Sequence, residues 1–258
     1  MDELSFGEKC LKGGRRMEDY IGEIIKFSDM SQYKPLNEIV FDGIRKAIIK
    51  GAIPVGQRIN EKEYAERMNI SRTPIRDALH RLEEEGLVEY IPRYGVIVKK
   101  ISIEDAKEIY KIRVALDIVA TTNAMNLMTE EQFQQIEDLL NKTEEANKTN
   151  KKIEEVTQLF SEFNETIYTF SQMPRLKSIV TKLREYLMRF RDISMAEDVR
   201  RRRALDEHWM IYRAMRNQNE NQVGLIIKEH LAYSEKFIIR EMERQENERE
   251  NRKQTSEK

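Results

Sequence analysis

Hydrophobic positions recur at helical spacing over most of the chain. From Pro35 onward, LNEIVFDGIRKAIIKG sets Leu36, Ile39, Val40, Ile44, Ala47 and Ile48 on one face, and Gly51 supplies a stop. Pro54 and Gly56 break the link AIPVGQR. Asn60 stands as N-cap of EKEYAERM, with Glu63 at the capping-box position. A turn at Asn69-Ile70 leads to Ser71, the N-cap of RTPIRDALHRLEEE. Pro74 falls in the first turn of that helix, where a missing N–H costs little. Ile75, Leu79 and Leu82 form its apolar side, and Gly86 ends it. LVEYIP and GVIVKK, rich in β-branched and aromatic residues, flank Arg93-Tyr94 and predict a hairpin. Upstream, residues 1–16 read as a loose tail, and 17–29 predict a short amphipathic helix on Ile21, Ile24 and Ile25.

The strand signal stops at Ser102. That residue caps a long predicted helix, SIEDAKEIYKIRVALDIVATTNAM. Further helices are expected at about 129–148, 151–171, 174–195, 200–216 and 219–243, with the short connections of a helical bundle. The predicted fold is mainly α: an N-terminal winged helix-turn-helix followed by an antiparallel all-helical bundle. The divisions are a tail with a short helix over 1–34, the winged helix over 35–101, the bundle over 102–243 and a charged, disordered tail over 244–258.

Composition narrows the class. Charged residues make up 35 % of the 258, and only 10 Gly and 5 Pro serve the whole length, which favours helix. The net charge is −1, so any basic surface must be local. The single cysteine, Cys10, allows no disulfide within the chain, and neither a signal peptide nor an 18-residue apolar run appears. A cytoplasmic address and no membrane partner are expected. No Gly-rich phosphate loop or nucleophile elbow is present, so catalysis is not expected.

Three helices and a hairpin, in that order, suit double-stranded DNA. A recognition helix presents polar side chains from its first turns to the major groove while its other face stays in the core. Arg72 and Arg76, four apart, share one face, and arginine bonds guanine bidentately. Ser71 and Thr73 suit phosphate, Lys62 suits backbone or base, and Arg93, Tyr94 and Gly95 suit the flanking minor groove. Arg72, Arg76 and Arg81 against Asp77 leave the start of this helix basic, with Glu83, Glu84 and Glu85 beyond it.

The stretch from KPLNEIVFDGIRKAIIKG through ISRTPIRDALHRLEEEGLVE to GVIVKKIS closely resembles the DNA-binding domain of GntR-family regulators. That resemblance implies DNA contacts at Lys62, Arg72, Thr73, Arg76 and Gly95, and a homodimer on a near-palindromic operator. EIYKIRVALDIVA, FNETIYTFSQMPRL and DEHWMIYRAMRNQN resemble the FCD ligand-binding domain of the FadR-like branch. It implies an effector-responsive regulator, a repressor released by a small carboxylate metabolite. The alternative is a DNA-binding dimer whose helical domain has lost sensing.

The resemblance also implies a divalent metal held by an Asp-x-x-x-His pair and two later histidines. His208 and His230 match the later pair, 22 residues apart. Phe160 and Asn164 stand where the aspartate and first histidine belong, so the site is incomplete and a tightly bound ion is not expected. Arg113, Asn164, His208 and His230 are therefore expected to line a pocket for a small anion, with protonated histidines or Arg113 meeting its charge. His80 reads as structural and Arg200–Arg203 as a solvated helix start. Tyr186, Met188 and Phe190 read as core or dimer packing.

Overall fold

The computed structural model describes residues 17–28, 34–149 and 152–256. Residues 1–16, Cys10 and the expected loose tail among them, lie outside the described residues, as do 257–258. The chain separates into two compact units, Met1–Lys100 and Ile101–Lys258.

The N-terminal unit comprises α1 (Met17–Phe27), α2 (Leu36–Ile49), β1 (Arg58–Ile59), α3 (Glu61–Met68), α4 (Arg72–Glu84), β2 (Val88–Ile91) and β3 (Gly95–Val98). Its core forms where α2 packs on α4, with Val40, Ile44, Ala47, Ile75, Leu79 and Leu82 all buried. The helix α1 lies against α2 and α3 and buries Tyr20, Ile21 and Ile24, whereas Ile25 is 45 % exposed. Gly43 permits the approach to α2: a Cβ there would fall on the Ser28 hydroxyl and lie 3.2 Å from the Ile24 carbonyl.

The antiparallel sheet runs β1-β3-β2, with Arg58 opposite Ile97 and Tyr90 opposite Val96. The strand β1 begins on the last residue of the stretch read as a broken link. Two residues are too short to show periodicity, and only β3 gives them a partner. The hairpin tip combines Pro92 with Arg93 at φ 67°, the placement a type II turn demands, and Tyr94 N–H donates to the Ile91 carbonyl at 3.0 Å.

The C-terminal unit is an all-helical bundle: α5 (Ile103–Leu127), α6 (Glu130–Lys148), α7 (Ile153–Phe170), α8 (Pro174–Tyr186), α9 (Met188–Ala196), α10 (Asp198–Arg216) and α11 (Glu220–Ser256). Full capping boxes, Ser102 with Asp105 and Thr129 with Gln132, start α5 and α6. The two residues between those helices turn the chain back at once. Its core gathers Met125, Ile136, Phe163, Met215 and Leu231 from five helices.

Two expectations for this unit need correction. The helix expected over 174–195 is two, α8 and α9, broken at Leu187. Leu187 is itself buried, so the apolar pattern runs through the break unaltered; α8 packs on α5 and α7, whereas α9 packs on α7, α10 and α11. The tail over 244–258, expected to be disordered, continues α11 as helix to Ser256. Arg244 pairs there with Glu241 at 2.7 Å and Glu248 at 2.5 Å, spacings that support a helix without apolar contacts.

Candidate DNA-reading surface and effector cavity

In the N-terminal unit, Asn60 starts α3 by accepting from the backbone N–H groups of Lys62 and Glu63. Asn69 ends α3 in the left-handed conformation (φ 54°), and Ser71 opens α4 with extended backbone and no side-chain capping bond. Helical spacing then sorts α4 into two sides. Ile75, Ala78, Leu79 and Leu82 are buried, while Ser71, Arg72, Thr73 and Arg76 are exposed. Lys62 is exposed with Glu66 at 3.7 Å. Arg93 and Tyr94 stand exposed at the hairpin tip, and the Arg58 guanidinium lies 5.2 Å from the Tyr94 ring centroid. Gly95 has φ 104°, and a Cβ on it would meet Arg58 Nε at 3.5 Å.

Glu61 joins this surface with no motif in the sequence to mark it. Its Oε2 takes Arg76 Nε at 3.3 Å and its Oε1 accepts from the Tyr90 hydroxyl at 2.9 Å. That bond to Glu61 raises the Tyr90 pKa. One carboxylate thus ties a candidate base-reading arginine to β2. No sequence spacing would pair residues 61, 76 and 90, because three elements meet there. His80, expected to be structural, is instead exposed and faces Tyr90, ring centroids 6.2 Å apart. Its position four residues after Arg76 places it on the polar side.

In the C-terminal unit, Arg113, Asn164, His208 and His230 all line one cavity of about 60 Å³, together with Phe160, Arg184, Arg200 and Ser234. Arg113 is not idle. Its Nη2 donates to Asp117 at 3.0 Å, and the Tyr168 hydroxyl donates to the other oxygen of Asp117 at 2.8 Å. Burial works against the Arg113 charge, but Asp117 keeps its pKa above the ordinary value. Burial and the Asp117 charge push the Tyr168 hydroxyl up.

His208 is 3 % exposed and stacks on Phe163 with centroids 4.1 Å apart. Burial, and then the charges of His230, Arg200 and Arg184, drive its pKa well below the ordinary histidine value. The expectation that protonated histidines meet an anion is therefore corrected for His208, whose burial and positive neighbours disfavour the charged form. His230 Nδ1 lies 2.7 Å from Glu207 Oε2.

Arg200 is the larger omission. Four successive helical arginines do point around the cylinder, but the reading as a solvated helix start holds for Arg202 and Arg203, with side chains 72 % and 52 % exposed, and not for Arg200 and Arg201. Arg201 bonds Asn147 at 3.0 Å and the Met195 carbonyl at 2.8 Å. Arg203 bonds Glu207 at 2.9 Å. Arg200 is buried against the cavity, its Nη2 donating to Ser234 Oγ at 2.7 Å. Burial lowers its pKa, opposed by Glu207.

The donor set does not fit a metal. Among the described residues no three His, Cys, Asp or Glu side chains converge as ligands. Glu207 holds His230 as a carboxylate holds a metal-binding histidine from behind, but the front of the site lacks its acid. The Phe160 ring lies 5.6 Å from that of His208. The Asn164 amide donates to the Phe160 carbonyl at 3.0 Å. Two imidazoles and a committed amide offer a divalent ion no negative charge.

A winged helix-turn-helix with a helical, cavity-bearing unit defines a class: DNA-binding regulators with a sensor domain. The model of the bacterial regulatory proteins of the gntR family matches residues 36–98, and that of the FCD domain matches 108–233. The uncharacterized HTH-type transcriptional regulator YdhC of Bacillus subtilis is 29 % identical over 180 residues, spanning 70 % of this chain and 80 % of the relative. The HTH-type transcriptional repressor RspR of Escherichia coli is 25 % identical over 204 residues, 79 % of this chain and 89 % of the relative. The solved structure of E. coli McbR/YncC superposes with a TM-score of 0.63 at 20 % identity, covering 81 % of this chain and 99 % of that one, a likeness of fold. The chain belongs to the GntR family of bacterial transcription regulators and carries an FCD effector-binding domain. No described helix is long and apolar enough to cross a membrane.

Proposed function

We propose that the protein is a cytoplasmic, homodimeric repressor that leaves its operator when a small anionic metabolite occupies the helical unit. The reading rests chiefly on α4, where Arg72 and Arg76 stand exposed on the side opposite a buried apolar row. A helix anchored this way can enter a major groove without disturbing the core. Ser71, Thr73 and Lys62 supply phosphate contacts, and Arg93, Tyr94 and Gly95 reach the adjoining minor groove. Two such units on a near-palindrome require a symmetric dimer. Arg113, Asn164, His208 and His230 form the effector wall. Effector and DNA affinities are then reciprocally linked.

Fluorescence anisotropy with an operator duplex tests the reading. Arg72→Ala and Arg76→Ala should each cost about 1–3 kcal/mol of operator affinity and relax base preference. Lys62→Ala should weaken binding evenly across sequences and reduce its salt dependence. Unchanged operator binding by the Arg72→Ala, Arg76→Ala double variant sinks the docking. An operator complex indifferent to a panel of small anions would leave a DNA-binding dimer that has lost sensing.

A further inference from the structure

The cavity of the helical unit has room for a compact guest. A water needs only about 10–15 Å³, so a cavity of about 60 Å³ admits a guest of a few heavy atoms. Its described wall contains three arginines and no carboxylate. Each arginine has an acidic partner behind that wall: Asp117 at 3.0 Å from Arg113, Glu165 at 3.1 Å from Arg184, and Glu207 at 3.6 Å from Arg200.

These three pairs are not equivalent. Glu207 already gives Oε1 to Arg203 at 2.9 Å and Oε2 to His230 at 2.7 Å, which leaves Arg200 the long contact. Ser234 takes one Arg200 N–H, but Nε and Nη1 are buried with no hydrogen bond. Arg113 Nε is in the same condition. Buried charged donors left unmet are costly, and a carboxylate is the acceptor that matches a guanidinium in charge and shape.

We propose that Arg200 is the cationic centre of a metal-free site for a short monocarboxylate. This narrows the reading of the helical unit as an anion sensor and rests on it. One under-compensated guanidinium calls for one carboxylate. The rest of the guest meets Tyr110, Leu187, Met195 and Ile238, which line the same cavity. A second carboxylate would meet Arg113 and Arg184 already paired with Asp117 and Glu165, and would lose its hydration. Ser234 acts as a positioning residue, holding the guanidinium by its Nη2.

The test is calorimetric titration of the full-length protein, pre-treated with EDTA, with acetate, propionate, butyrate, succinate and propionamide. Saturable binding of at least one monocarboxylate is expected, unchanged by EDTA and at least tenfold tighter than succinate or the neutral amide. Arg200→Gln should weaken it at least tenfold, with operator binding reporting that the variant is folded. Ser234→Ala should weaken it several-fold at an unaltered melting temperature, and covers the case in which Arg200→Gln fails to fold. Tighter binding of succinate, binding that appears only with added zinc, or undiminished binding by both variants would overturn this site and leave anion sensing intact. An absence of binding by every anion, with and without metal, would overturn the sensor reading as well.

Discussion

Arginine does opposite work in the two units. On α4, Arg76 leaves 56 % of its side chain in solvent, with Glu61 as a replaceable partner. In the bundle, Arg200 keeps only 5 % exposed, and its partners are set by the fold. An exposed guanidinium waits for phosphate or base at little cost, because water solvates it meanwhile. A buried one must be neutralised by its own protein or by a ligand. The N-terminal unit therefore displays its chemistry at the surface, whereas the charge balance around Arg200 decides what the helical unit can hold.

That contrast can be broken at three points. The largest effect is expected at Gly43, where α1 meets α2. Gly43→Ala forces the Ser28 hydroxyl aside and should cost the N-terminal unit about 1–3 kcal/mol in urea unfolding, as overpacking does. Adding Ser28→Ala should recover part of that loss. Full stability in the single variant would mean that α1 is not docked as described.

The next effect is a pH dependence of the helical unit. His208 has its folded pKa depressed below 6.5, so the unfolded chain binds its proton more readily. Its contribution is present above pH 6.5 and is lost as pH falls towards the folded value, with a slope of at most about 1.4 kcal/mol per pH unit. Thermal melts between pH 7.5 and 5.5 should show that loss, and His208→Phe should flatten the curve. An equally steep curve in the variant would place the proton elsewhere. The smallest effect belongs to Arg244, whose side chain is 56 % exposed. Arg244→Ala should leave the melting temperature almost unchanged, as loss of an exposed helix pair does; a clear drop would show that the end of α11 is held by more than its own charges.

The helices of the winged unit, its hairpin and its polar row were legible because each is local. Caps, glycine stops and a period of 3.6 act within one or two turns. The same logic located α5, α6, α7 and α10 closely. It failed at Leu187, where a buried leucine satisfies a continuous helix and a broken one equally well. It also missed β1, which exists only because β3 lies beside it.

The cavity divides along the same line. His208, His230, Asn164 and Arg113 were identified by resemblance, and all four line it. Arg184 and Arg200 were not, since surface and cavity arginines look alike in a helix of mixed charge. From its sequence alone, this protein had its helical periods, its caps and the exposed row on α4, and the resemblance added the expectation that Phe160 stands where a metal-binding acid belongs. Only the tertiary structure decided which of four successive arginines turns inward, that Glu207 serves two arginines and His230 at once, and that burial and nearby positive charge disfavour the charged form of His208. Those outcomes depend on distances between residues far apart in the chain and on how much water each one keeps.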